Sequence, residues 1–183
     1  MEDPGITRRG ELIVTASVTD VLLAKAYMQM LEDDTLDTVF FQSRPTLAGF
    51  MNEYLTPGRF IVLGCFVERE GKNPQFVGMG WAGNSVLMGA FRKCEVGMVF
   101  FNGMTNVRER LALGRMMLER VFTTHAMDVI FGVTPGQNKL ALSYARRLGF
   151  KMHGPIPGYL TWQGELADGW ISQMSKADWM ERA

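Results

Sequence analysis

The chain has 183 residues, with 19 Lys plus Arg against 19 Asp plus Glu, and 47% of its residues are apolar. A length of this order fits one domain whose core needs no disulfide or metal to hold it together. The balanced charge supplies no long-range field that would gather nucleic acid or an anionic membrane, and no run approaches the ~18 uninterrupted apolar residues of a bilayer-spanning helix. Neither nucleic acid nor a membrane is therefore an expected partner. The first residues, Met1-Glu2-Asp3-Pro4-Gly5, are acidic and breaker-rich, the opposite of an export signal, and the expected location is the cytoplasm.

Residues 1–10 read as a loose leader and residues 11–183 as a single domain. Residues 11–17 (ELIVTAS) form a first expected strand. Thr19-Asp20 offers helix N-cap chemistry, and Val21, Leu22, Ala24, Tyr27, Met28 and Leu31 recur at helical spacing up to the acidic Glu32-Asp33-Asp34. Pro45 opens a second helix with Leu47, Phe50, Met51 and Tyr54 on one face, stopped by Pro57-Gly58. Residues 60–67 (FIVLGCFV) read as a strand buried on both faces. A polar turn over 68–74 leads to a return strand over 76–82, which makes a hairpin. Strand 95–102, helix 111–123 and strand 127–134 then imply a parallel pair joined by a right-handed crossover. A helix over 138–148 follows, and three short strand segments, starting at 150, 159 and 170, flank the breaker-rich stretch 154–158. The fold class is α/β (α+β): a mixed, mostly antiparallel sheet of about six or seven strands flanked by helices. Its order is β-α-α-β-β-β-α-β-α-β-β, closed by a short helix over 176–182.

Several local signals carry no chemistry. Gly78, Gly80 and Gly83 fit G-x-G-x-x-G, but they sit inside a strand-like run with no helix after it, whereas a dinucleotide fingerprint must open one. His125 and His153 have no Cys, Asp or Glu at ligand spacing, so no metal is expected. A G-x-S-x-G nucleophile elbow is absent. Cys65 and Cys94 lie in apolar runs and read as buried thiols. The 14 methionines point to an adaptable core or a contact surface. Tyr159, Trp162, Trp170 and Trp179 read as packing residues rather than a base-stacking platform. Arg146, Arg147 and Lys151 form a small basic cluster, solvated by default but within reach of a phosphate if one binds nearby.

The element order, together with residues 115–150, resembles the GCN5-related N-acetyltransferases, the GNAT superfamily. The residues that carry the resemblance are an amphipathic helix ending in Phe122, an apolar strand, Asn138, and a helix closing on Leu148-Gly149-Phe150. The tail, Asp168-Gly169-Trp170 and then Lys176-Ala177-Asp178-Trp179, is similar to that of the ribosomal-protein acetyltransferase branch.

The resemblance implies acetyl-CoA as acetyl donor and an amine of a protein or small molecule as acceptor. It also implies a wedge between two splayed strands, a pantetheine arm along residues Val99, Phe100 and Phe101, and a pyrophosphate at the start of the next helix, beside Arg108, Arg110 and Leu111. Anions suit such a helix start because its first amides are unpaired and the dipole is positive there. The family's loop reads Arg or Gln, two residues, Gly, one residue, Gly or Ala; here Thr105 to Arg110 match it, with arginine at both small positions. Those side chains either crowd the phosphates or bind them through their guanidinium groups. Asn138 is carried over as a site-facing residue or a plain cap, and Glu95 as a candidate base. Tyr144 is a candidate acid, one residue short of the family's tyrosine position, which holds Ala145. A second reading is a non-catalytic binding or structural protein on the same scaffold. Chains of this fold without the glycine loop are similar to small proteins of short-tailed phages, some of them virion-associated, which would make a protein partner or a virion the setting.

Overall fold

The computed structural model describes residues 5–88 and 90–182. A hairpin of β1 (Ile6–Arg9) and β2 (Leu12–Thr15) begins the chain. Ile6–Arg9 was expected to lie in the leader; it is a strand because Ile6 to Arg9 pair in register with Thr15 to Leu12. Residues 1–4 of that leader lie outside the described residues. Helix α1 (Asp20–Glu32) starts where the Thr19 side chain accepts the Leu22 amide, as the N-cap signal predicts. A short helix α2 (Leu36–Val39), which the sequence pattern does not announce, precedes α3 (Leu47–Leu55).

The centre of the sheet is β3 (Phe60–Val67), β4 (Gln75–Met88) and β5 (Phe91–Phe100), paired antiparallel. Helix α4 (Val107–Thr123) crosses over to β6 (Val129–Pro135), parallel to β5. Helix α5 (Lys139–Leu148) then leads to the hairpin of β7 (Lys151–Trp162) and β8 (Glu165–Ser175), and α6 (Lys176–Met180) follows. The strand order is β1-β2-β3-β4-β5-β6-β8-β7, eight strands rather than six or seven. β1 accounts for one addition. The C-terminal segments, by contrast, are two long strands instead of three short ones. β7 runs through residues 154–158 with two register shifts. Pro155 and Pro157 are tolerated there because β7 is an edge strand, where a missing N–H costs no ladder bond on the open side. Its hairpin turn places Gln163 at φ 52° and Gly164 at φ 86°, the two left-handed residues of a type I′ loop.

Helices cover both faces. Leu113, Met117, Val121 and Phe122 of α4 pack on one face with Val77, Ile130 and Met174, and Trp179 of α6 stacks on Phe122 at 6.0 Å. On the other face Leu23, Met30, Phe50 and Tyr54 from α1 and α3 pack on Phe76, Met79, Val99 and Phe101. Met30, Met79, Met116, Met117 and Met174 are fully enclosed, so these methionines serve packing. Cys65 and Cys94 are free and buried, and burial pushes the Cys94 thiol up to about 11.

The last helix is tied to β8 by a reciprocal cap. The Ser175 hydroxyl accepts the Asp178 amide and donates to the Asp178 carboxylate at 2.7 Å, while Lys151 Nζ donates to the other carboxylate oxygen at 2.7 Å. The hydrogen bond from Lys151, then those from Ser175, hold the Asp178 carboxyl at about 2, below its ordinary 3.8. A depressed carboxyl pKa stabilises the fold above the ordinary value and loses that contribution as pH falls through the folded value. The unfolding midpoint of the wild type is therefore expected to exceed that of Asp178→Ala at pH 6, and the gap to close between about pH 4 and pH 2, measured by circular dichroism melts.

Candidate functional site

Hydrogen bonding between β5 and β6 is confined to three register pairs, Lys93–Val129, Cys94–Ile130 and Glu95–Phe131. Beyond them β5 stays with β4 as far as Phe100, and β6 stays with β8 as far as Pro135. The two strands diverge, and a cleft of about 560 Å³ fills the wedge. That volume lies in the ~300–1,000 Å³ range of ligand sites. Its walls are β5, β6, one face of α5 and the start of α4, with α2 and Trp81 at the far end.

Backbone direction decides which residues of β5 serve the wedge. Along a strand the N–H and C=O of alternate residues point to opposite neighbours. The Phe101 amide donates to the Val77 carbonyl at 3.0 Å, toward β4. Phe101, Val99 and Gly97 therefore spend their backbone on β4, and the side chains of Val99 and Phe101 are buried against α1 and α3. Val96, Met98 and Phe100 turn the other way, and all three line the cleft. Of Val99, Phe100 and Phe101, where pantetheine contacts are expected, only Phe100 borders the cleft; Val96 and Met98, on the same alternation as Phe100, border it too. The signal that would have found it is the period-2 alternation within residues 95–102.

The start of α4 differs from the expected loop in a second way. The helix begins at Val107, so Arg108 and Arg110 lie in its first turn instead of in a loop. Asn106 and Glu109 form a capping box: the Glu109 amide donates to the Asn106 side chain at 3.0 Å, and the Asn106 amide donates to the Glu109 carboxylate at 2.8 Å. Glu109 also pairs with Arg69 at 3.2 Å. The sequence Asn106-x-x-Glu109 carries that signature, which the apolar periodicity starting at Leu111 conceals. Arg108 is exposed and stands outside the cleft, and Leu111 packs on the core. Arg110 lines the cleft, with its Nε donating to Thr105 Oγ1 at 3.0 Å. One turn face of α5 adds Asn138, Leu140, Tyr144 and Arg147 to the same wall. Arg147, noted in the sequence only as part of a basic cluster, is exposed and has no ion pair among the described residues.

The expected catalytic residues all line the cleft, in different states. Glu95 is half-buried where β5 and β6 part, and its Oε2 accepts from Asn84 Nδ2 at 3.0 Å. Asn138 does both things proposed for it: its Oδ1 caps α5 by accepting the Ala141 amide at 3.0 Å, and the residue borders the cleft. The Tyr144 hydroxyl is committed to α4, donating to the Arg110 carbonyl at 2.8 Å, and its ring meets Phe100 edge-on at 5.9 Å. Burial pushes the phenol above its ordinary value. The approach of Tyr144 needs Gly114, because a Cβ there would collide with the hydroxyl. Among the described residues no group of three His, Cys, Asp or Glu side chains is placed to hold a metal ion, and no helix is long and apolar enough to cross a membrane.

No protein-family model matches the sequence, and no curated protein matches it. Solved structures do match. The ribosomal-protein-S5-alanine acetyltransferase from Vibrio fischeri superposes with a TM-score of 0.73 at 14% identity, covering 95% of this chain and 98% of the other. Mycobacterium smegmatis RimJ, solved with CoA-disulfide, gives 0.72 at 19% identity over 91% and 83% of the two chains. The spermidine N-acetyltransferase from Vibrio cholerae, solved with CoA and spermine, gives 0.74 at 11% identity over 94% and 99%. The fold is that of the GNAT acetyltransferases, and the mixed sheet expected from the sequence is the observed one.

The Tyr144–Gly114 contact is testable by denaturant unfolding. Gly114→Ala is expected to cost about 1–3 kcal/mol through overpacking, and Tyr144→Phe about 1 kcal/mol through the lost hydrogen bond. The double variant is expected to be less destabilised than the sum, because removing the hydroxyl removes the clashing atom.

Proposed function

We propose that this chain is an N-acetyltransferase that moves an acetyl group from acetyl-CoA to an amine. The observation that carries the reading is the parting of β5 and β6 after Glu95–Phe131. It leaves the Val96 carbonyl and the backbone groups of Met98 and Phe100 without a strand partner on the cleft side. Buried backbone groups need hydrogen-bond partners, and the two amides of a pantetheine arm meet that need as a third strand would. The residues present fit the donor at this end. The phosphate end is built differently from the glycine loop of the resemblance. With the amides of Asn106 and Glu109 engaged in the capping box, the guanidinium groups of Arg110 and Arg147 hold the pyrophosphate. Guanidinium forks suit phosphate oxygens, and the arginines at the small-residue positions are accommodated because they project from a helical turn.

At the other end Glu95 takes a proton from the acceptor ammonium, kept in place by Asn84. Acetyl-CoA supplies the reactive thioester: the amine nitrogen forms the N–C bond, the C–S bond breaks, one amine proton passes through Glu95 to water and another ends on the thiolate. Asn138 fixes the start of α5 beside the divergent strands. Tyr144 acts as a positioning residue, because its hydroxyl proton is spent on the Arg110 carbonyl and holds α4 and α5 together beside Arg110.

A second reading, a non-catalytic binding protein on this scaffold, is favoured by one observation: the capping box and the Glu109 carboxylate occupy the helix start where the fold otherwise takes phosphate. Thermal unfolding with acetyl-CoA separates the two. Ligand at 100 times its dissociation constant adds about 2.7 kcal/mol, or roughly 5–10 °C in midpoint for a chain of this size; no shift at millimolar concentration leaves the binding-protein reading. Arg110→Ala and Arg147→Ala are each expected to weaken acetyl-CoA binding by roughly 10- to 100-fold, while leaving affinity for phosphate-free S-acetylpantetheine unchanged, read by calorimetry. Glu95→Gln is expected to lower kcat by about 10²- to 10⁴-fold with acetyl-CoA affinity retained.

A further inference from the structure

We propose that the acceptor is a primary amine with a single positive charge, carried on an aromatic or otherwise apolar body, and not a polyamine; this rests on the acetyltransferase reading above. The end of the cleft away from α4 is formed by Thr38, Val39 and Phe41, by Trp81 of β4 and by Glu95. Trp81 is held as a rigid wall. Its ring stacks on Phe40 at 6.2 Å with an interplanar angle of 12°, meets Tyr54 edge-on at 5.6 Å, and its indole covers Gly97, where any side chain would collide with it. Phe41 is half-buried and supplies a second aromatic surface, 6.3 Å from the Trp162 ring of β7.

Between those walls stands one carboxylate. Glu95 is the only acidic side chain among the described residues that lines the cleft. Asp37 of α2 and Glu53 of α3 each have a cation partner of their own, Arg44 at 3.1 Å and Arg59 at 3.2 Å. A single carboxylate matches a single ammonium. The methylenes or ring next to that ammonium gain contact with Trp81 and Phe41. A second or third ammonium on the same molecule would sit against apolar walls without a counter-charge, which is unfavourable. The wall residues set substrate choice and the carboxylate sets the point of attack.

The test starts with acetyl-CoA binding by calorimetry and then follows thiol release from acetyl-CoA with 2-phenylethylamine and with spermidine. The expected kcat/KM for 2-phenylethylamine exceeds that for spermidine by at least about tenfold. Trp81→Leu and Phe41→Leu are expected to raise KM for 2-phenylethylamine by about tenfold with a smaller change in kcat and no change in acetyl-CoA affinity. Because Trp81 also packs against Phe40 and Tyr54, the half-buried Phe41 keeps the test decisive if the tryptophan variant does not fold. Equal or better use of spermidine, or an unchanged KM in Phe41→Leu, overturns the proposal. Acetyl-CoA binding with no turnover of 2-phenylethylamine overturns the acceptor assignment alone. Absence of acetyl-CoA binding overturns the acceptor assignment together with the acetyltransferase reading.

Discussion

Inside a sheet, each strand has neighbours on both sides, and its backbone groups are consumed by them. The site of this protein depends on one interruption of that rule. β5 keeps β4 along its length but loses β6 after Glu95, so from Val96 to Phe100 it has a free edge in the middle of an eight-stranded sheet. Free backbone donors and acceptors next to a walled cleft are a binding surface for any extended ligand with amides of its own. The other features of the site sit around that edge: Glu95 where pairing ends, Arg110 where the crossover helix begins, Asn138 and Tyr144 on the helix that closes the wedge.

The two helices at the wedge are locked to each other by a small number of contacts. Gly114 lets the Tyr144 hydroxyl reach the α4 backbone, and the Tyr144 ring leans on Phe100 of β5. This couples the position of Arg110 to the strand that borders the cleft. A tyrosine one place earlier than the family pattern thus lands on the neighbouring helix, since one residue on a helix is a rotation of ~100°. The capping box at Asn106 and Glu109 has a comparable effect on α4: it satisfies the Asn106 and Glu109 amides within the chain and fixes where the helix starts.

Much of the architecture was legible. β3 spans the residues that the apolar run over 60–67 marks, and Thr19 and Asn138 cap the helices they precede. The wedge between the strands after Glu95 lies where the resemblance places it. Less legible were features that need two distant segments. β1 is a strand because β2 pairs with it, and its four residues carry no apolar alternation. β7 passes through two prolines because an edge strand permits it. Val99 and Phe101 were assigned to the cofactor although they face β4 and the α1–α3 core, because an apolar run on both faces hides which face is which.

The sequence by itself determined the elements with strong local chemistry: apolar periods, N-caps, the Leu-Gly-Phe close of α5, and the single acid at position 95 of the central strand. Only the tertiary structure decided which alternate residues of β5 face the cleft, that Arg147 joins Arg110 on one wall, that the Tyr144 hydroxyl is engaged, and that Phe41 and Trp81 both line the cleft. The division has a physical cause. Caps and periodicity are fixed by atoms a few residues apart, whereas the direction of a strand edge and the company of a side chain are set by the register of neighbours that lie far away along the chain.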